Sequence, residues 1–189
     1  MDRRSWLAWC SRALGLACAT VVAVPAVRYL VDPLRRSGDS DEIRRRVARL
    51  EELEPGEPRM FAVSGSYQDA WTFHDETVLG QVWIVREDAG DASADARVTA
   101  FSATCPHKGC VIPSFDQQAC EFQCPCHKAS FDLFGEPIEG AASGEPNPAP
   151  RPMDSLTVEV VQDDASGTWW VEVVYQEFES GLETKEVKG

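Results

Sequence analysis

The hydrophobic pattern changes its period twice along the chain. Residues 5–27 are apolar almost throughout and predict one long helix, which Pro33 is expected to break. In "DEIRRRVARLEELEPGEP", Ile43, Val47 and Leu50 recur at helical spacing, with Asp39 or Ser40 as N-cap and Pro55 and Pro58 beyond. A short amphipathic helix is predicted there. From Met60 onward the period moves towards two. Strands are predicted at 81–87 (QVWIVRE), 97–103 (RVTAFSA), 119–124 (ACEFQC), 129–134 (ASFDLF), 155–161 (SLTVEVV) and 168–178 (TWWVEVVYQEF). "DAGDASAD" predicts a polar loop, "DDASG" (163–167) a hairpin turn, and the Pro-rich "GAASGEPNPAPRP" (140–152) irregular structure. Short strands punctuated by turns make the chain mainly β, an antiparallel sandwich or barrel behind one N-terminal transmembrane helix. The predicted divisions are a membrane helix at 1–31, a hinge with the short amphipathic helix at 32–59, and a head domain with a C-terminal tail at 60–189.

Ser5 to Val27 is long enough to cross a bilayer, although Arg12 interrupts it; near the end of the helix its side chain could snorkel to the interface. The shorter run Ala13–Val27 resembles a signal-peptide core, and Ala17-Cys18-Ala19 is a possible cleavage site. The uncleaved anchor is the favoured reading. Arg3-Arg4 followed by Ser5-Trp6-Leu7 resembles a twin-arginine export signal. With Arg3 and Arg4 inside, the body is expected on the periplasmic, outer side of a bacterial cytoplasmic membrane. Arg28, Arg35 and Arg36 strain that orientation.

Charge divides the chain. Residues 1–50 hold ten Arg and five acidic side chains, whereas residues 51–189 hold eight basic and 26 acidic ones, a net of −18. A body so acidic excludes nucleic acid as its partner and suits a basic protein.

Five of the seven cysteines lie between Cys105 and Cys126. "CPHKGC" (105–110) and "CPCH" (124–127) each combine thiol and imidazole. All-Cys sets fit zinc ribbons and ordinary iron–sulfur proteins, and a Cys2His2 zinc finger groups its cysteines apart from its histidines. One Cys and one His from each loop suit two adjacent irons, one bound by two thiolates and the other by two imidazoles. His74 lacks a partner motif. Cys120 reads as a buried thiol on a strand, and Cys10 and Cys18 as inert filler in the apolar helix.

At these residues the chain resembles the Rieske family, whose pattern is C-x-H-x-G-C followed by C-x-C-H. The resemblance implies one 2Fe-2S cluster in a cluster-binding subdomain of a small β fold. Cys105 and Cys124 would bind one iron, and His107 and His127 the other. It also implies a disulfide between Cys110 and Cys126 and a role for "PAPRP" (148–152) as a loop shielding one flank. Histidine ligation raises the potential above that of all-Cys ferredoxins. The exposed ring nitrogens of His107 and His127 would exchange protons, which suits the oxidation of a hydroquinone.

An interloop disulfide together with a membrane anchor resembles the iron–sulfur subunits of cytochrome bc-type complexes. That implies one electron and a proton taken from quinol and the electron passed to a c-type cytochrome, with a cytochrome b-type subunit as partner and residues 32–40 as a hinge. The chain would be an oxidoreductase subunit, not catalytic alone. Three residues depart from the pattern. Lys108 stands where quinol-oxidising members commonly carry Leu. Ala129 and Phe131 replace Ser and Tyr, whose hydroxyls favour the reduced cluster, so the potential is expected to be low and to suit menaquinol unless Ser130 or a water supplies the missing hydrogen bond. Lys128 replaces the usual Gly. The rival readings are the small Rieske subunit of an arsenite-oxidase-like molybdoenzyme and another Rieske electron carrier.

Overall fold

A computed structural model describes residues 2–35, 43–68, 72–140 and 146–188. The chain divides into two compact units, Met1–Asp41 and Glu42–Gly189.

The first unit is helix α1 (Arg3–Arg35). Its apolar stretch Arg3–Val31 is 29 residues long. At the α-helical rise this spans about 44 Å, more than the ~30 Å of a bilayer's hydrocarbon core. Trp6, Trp9, Leu16, Val21 and Tyr29 are exposed along it, a surface that lipid would cover. The expected break at Pro33 does not occur, since α1 continues to Arg35. A proline in the last turn forfeits one backbone bond and leaves only two residues to complete, so the helix ends beside it rather than at it. Of the expected hinge at 32–40, residues 32–35 continue α1 and residues 36–40 lie outside the described residues.

In the second unit the strands are β1 (Ile43–Arg49), β2 (Arg59–Gln68), β3 (Phe73–Arg86), β4 (Val98–Ser102), β5 (Ser114–Asp116), β6 (Glu121–Gln123), β7 (Ser130–Phe131), β8 (Ser155–Gln162) and β9 (Trp169–Tyr175). Six form one antiparallel sheet in the order β1-β9-β8-β4-β3-β2, and β5-β6-β7 form a second. The large sheet nearly closes on itself. Where its ends meet, Arg45 Nε of β1 donates to Ser64 O of β2 at 3.2 Å. Val63, Val82, Ile84, Val171 and Val173 fill the interior, with Leu50 and Leu53 from the 3-10 turn after β1.

The amphipathic helix expected around Ile43–Leu50 is a strand followed by that turn. β1 pairs with β9, and its register shifts between Arg46 and Ala48. A one-residue bulge at Val47 moves the inward positions by one, so a period of two interrupted once imitates helical spacing. The arginines on the outer face settle the matter energetically. Arg46 pairs with Glu172 at 3.0 Å, Arg44 with Glu159, and the Arg49 guanidinium lies 5.4 Å from the Trp170 ring centre. Cross-strand pairs of this kind favour the sheet.

A second core lies beneath the small sheet. Phe122 sits at its centre, 5.2 Å from Trp83 and 4.8 Å from Phe115 between ring centres. The buried Trp83 indole N–H donates to Ile112 O at 3.0 Å, tying β3 to the segment just before β5. Cys105 and Cys124 are themselves part of this core.

Candidate metal centre

Two loops rise from the second core by the same hydrogen-bond scheme. In the first, Cys105 N donates to Cys110 O at 2.7 Å and Gly109 N to Cys105 O at 2.9 Å. In the second, Cys124 N donates to Ala129 O at 2.8 Å and Lys128 N to Cys124 O at 3.1 Å. Each loop thus turns back on its own cysteine, which holds the thiol at the base and leaves the intervening residues at the tip. The turn requires a left-handed residue four places after the cysteine. Gly109 supplies it at φ +75° and Lys128 at φ +63°.

The loops meet in three pairs. Cys110 and Cys126 form a disulfide. Cys105 and Cys124 are both buried, and their thiols lie within hydrogen-bonding reach of each other. The rings of His107 and His127 contact edge to face, 4.7 Å between centres and 81° between planes. The sulfurs of Cys110, Cys124 and Cys126 all lie within 4.8 Å of one another, so the disulfide packs directly beside the Cys124 thiol.

Burial pushes the Cys105 thiol up to about 12; the N–H groups of His107 and Lys108, aimed at its sulfur, oppose the rise, and neighbouring Cys124 adds to it. Those two N–H groups are the donors a thiolate ligand would need. His107 is held below the usual imidazole value, first by burial and then by the charges of His127 and Lys108. His107 Nδ1 is buried with no hydrogen-bond partner among the described residues. An orphaned imidazole nitrogen costs about 1–3 kcal/mol unless something binds it. Two adjacent buried thiols, N–H donors behind one of them, and an unclaimed imidazole nitrogen fit a metal cluster.

The Rieske 2Fe-2S domain family model matches residues 44–160. The chain belongs to the Rieske family. This Rieske protein is 28% identical over 162 residues to the cytochrome b6-f complex iron-sulfur subunit of Chlorobaculum thiosulfatiphilum, covering 86% of this chain and 72% of that one. It is 28% identical over 163 residues to the menaquinol:cytochrome c reductase iron-sulfur subunit of Bacillus subtilis (strain 168), covering 85% and 87%. A chain of a solved hyperthermophilic respiratory complex III aligns at TM-score 0.39 and 18% identity, covering 84% of this chain and 98% of that one. One 2Fe-2S cluster is the cofactor, and the role of the Rieske protein is electron transfer.

Cys120 departs from its sequence reading. It is exposed, with φ +54°, in the turn between β5 and β6. Asp116 Oδ1 accepts from Gln118 N and Ala119 N at 2.8 and 3.1 Å, and that turn ends in a left-handed residue before β6 starts at Glu121. Cys10 and Cys18 lie exposed on α1, and His74 lies on β3. Sequence reasoning passed over Arg151 and the tail after β9. The only signal was an arginine set among prolines with Asp154 three residues on. Arg151 and Asp154 form a buried ion pair, and Gly181 N donates to Pro106 O at 2.8 Å.

Proposed function

We propose that this Rieske protein is the electron-carrying subunit of a membrane quinol-oxidising cytochrome bc-type complex, taking one electron and a proton from quinol and passing the electron to a c-type cytochrome. Cys105 and Cys124 would hold one iron of the cluster, and His107 and His127 the other. The observation that carries this reading is the pairing itself. Two thiols share the buried floor, and two imidazoles in contact stand above them, half-buried at His107 and exposed at His127.

When bound, a 2Fe-2S cluster supplies one-electron transfer near the potential set by its ligands. The chain's own residues supply the rest. His107 Nδ1, which no group among the described residues claims, is the atom offered to the metal. The other ring nitrogen is then free to hold a proton, and a hydroquinone hydroxyl approaching the exposed face of His127 could deliver one to that ring. The second core excludes water from the thiols, and the disulfide keeps the two loops in register.

Menaquinol is the proposed quinol, because Ala129 and Phe131 offer no hydroxyl and the Bacillus subtilis relative bears that substrate in its name. A cytochrome b-type subunit would meet the loop tips, and the acidic body would meet a basic cytochrome. Helix α1 would anchor the protein in a bacterial cytoplasmic membrane with the head on the periplasmic side. Purification from membranes in mild detergent tests the assignment. Co-purification of a cytochrome b subunit is expected; a molybdenum subunit in its place would overturn it. A protein that stays colourless and iron-free after anaerobic reconstitution would refute the ligand set.

A further inference from the structure

The C-terminal segment returns from β9 to the first cluster loop. Its two arms pair with each other, Glu179 N donating to Glu186 O and Lys188 N to Glu177 O, both at 2.9 Å. Between them, Gly181 N donates to Pro106 O at 2.8 Å. Pro106 is the residue before His107 and is fully buried. Gly181 has φ +82°, and a Cβ there would come 3.5 Å from His107 O. On the same side, a Cβ on Gly109 would come 3.2 Å from Ser180 Oγ. The tail is therefore a third wall against the loop.

What fixes that wall is Arg151. Its Nε and Nη2 donate to the two carboxylate oxygens of Asp154 at 2.9 and 2.8 Å. The same guanidinium donates to Glu179 O at 2.7 Å and to Leu182 O at 2.6 Å, the carbonyls on either side of Gly181. Asp154 O in turn accepts from Ser102 N of β4 at 2.8 Å, which anchors the pair to the large sheet. The two side chains are only 5% and 4% exposed, so water does not compete for these bonds. A planar fork with donors on three nitrogens can serve a carboxylate and two carbonyls at once; a lysine ammonium cannot reproduce that geometry.

We infer that Arg151 is a positioning residue for the metal centre: through the tail carbonyls it sets Gly181, and Gly181 sets the backbone that carries His107. The inference rests on the ligand reading above. It places the shaping of the histidine loop partly in residues 177–188, beyond the part matched by the family model.

The test uses the full-length protein in detergent with its cluster. Four forms are compared: wild type, Arg151→Lys, a truncation ending at Phe178, and the combination. Ending at Phe178 retains that buried side chain. The readouts are the midpoint potential and g-values from a redox titration followed by electron paramagnetic resonance, together with amide exchange over residues 177–188. Arg151→Lys is expected to speed exchange of the Gly181 amide. Each single variant is expected to shift the potential in the same direction, the truncation at least as far. The combination should match the truncation alone, because Arg151 acts through the tail. A truncated protein with wild-type potential and g-values would overturn the inference, and so would shifts that add. If Arg151→Lys does not fold, the truncation still decides whether the tail shapes the site. A wild-type protein without a 2Fe-2S signal would instead fail the ligand reading, before any variant is compared.

Discussion

Lys128 occupies in the second loop the place that Gly109 occupies in the first. Each donates its N–H to the carbonyl of the cysteine four residues before it, and each does so from the left-handed region. The difference is that a lysine must carry its Cβ there. A non-glycine residue in this conformation costs about 1–2 kcal/mol, partly offset by the greater unfolded-state freedom of glycine. Lys128→Gly is therefore expected to stabilise the head by about 0.5–1 kcal/mol. Gly109→Ala should destabilise it by about 1–2 kcal/mol, since the new methyl also meets Ser180 Oγ at 3.2 Å. Thermal unfolding in detergent reads both; a lower melting temperature for Lys128→Gly would contradict the argument.

Ala129 and Phe131 are fully buried in the core that holds both thiols. On the ligand reading proposed above, a hydroxyl introduced there would gain a charged sulfur acceptor worth about 1.5–3 kcal/mol, or roughly 60–130 mV for one electron. Ala129→Ser and Phe131→Tyr should each raise the midpoint potential by an amount of that order. Potentials that stay put in both variants would remove the basis for preferring menaquinol.

Lys108 leans over the tail, its Nζ 3.6 Å from where a Gly181 Cβ would lie, and the residue as a whole is exposed at the loop tip. A docking surface that accepts this ammonium must present an acceptor. Lys108→Leu would leave that acceptor unpaired at a cost of about 1–3 kcal/mol. If the protein serves a quinol-oxidising complex as proposed, quinol turnover is expected to fall at least about fivefold, with the cluster's absorption spectrum unchanged. Steady-state assays on the purified complex check the first outcome, and unaltered turnover would argue against contact at this tip.

Tyr175 contributes to the alkaline pH dependence of the fold. Its phenol donates to Leu79 O at 3.1 Å, in space left by Gly80, where a Cβ would lie 1.9 Å from the oxygen. Burial, with the charge of Glu177 second, pushes this phenol from 10.0 up to about 12. The unfolded chain loses the proton near pH 10 and the folded one holds it to about 12. The stabilisation is thus complete below pH 10 and is lost as pH rises through 12, a total of about 2–3 kcal/mol. In urea titrations at pH 8, 10 and 11.5, Tyr175→Phe should flatten this decline. An equally steep decline in the variant would assign it to other groups.

The two loops of the candidate site were legible in the sequence because the residues of each are close along the chain. "CPHKGC" and "CPCH" announce two loops with thiols and imidazoles, and the disulfide followed from the family pattern. β8 was legible because polar and apolar residues alternate from Ser155 to Val160, and β4 and β9 because they are short runs rich in β-branched and aromatic residues bounded by polar turns. β1 was not. Its bulge resets the alternation after Arg46, and its three consecutive arginines hide which face is outward until Glu159 and Glu172 are seen opposite. Cys120 was misplaced for a related reason: an apolar residue beside a strand reads as its continuation unless the Asp116 turn is recognised. The bond from Gly181 to Pro106 joins residues 75 apart in sequence through main-chain atoms alone, which no pattern of side chains records.

The crosslink between Cys110 and Cys126 also bears on which element the pocket can admit. Broken open in place, it would add two free thiols to that of Cys124, three sulfurs within 4.8 Å, a soft donor set attractive to zinc. Kept closed, it withdraws two of the three from competition. Protein prepared under reducing conditions should therefore take up more zinc than oxidised protein, measurable by elemental analysis, and equal zinc in both would deny the bond this selective part.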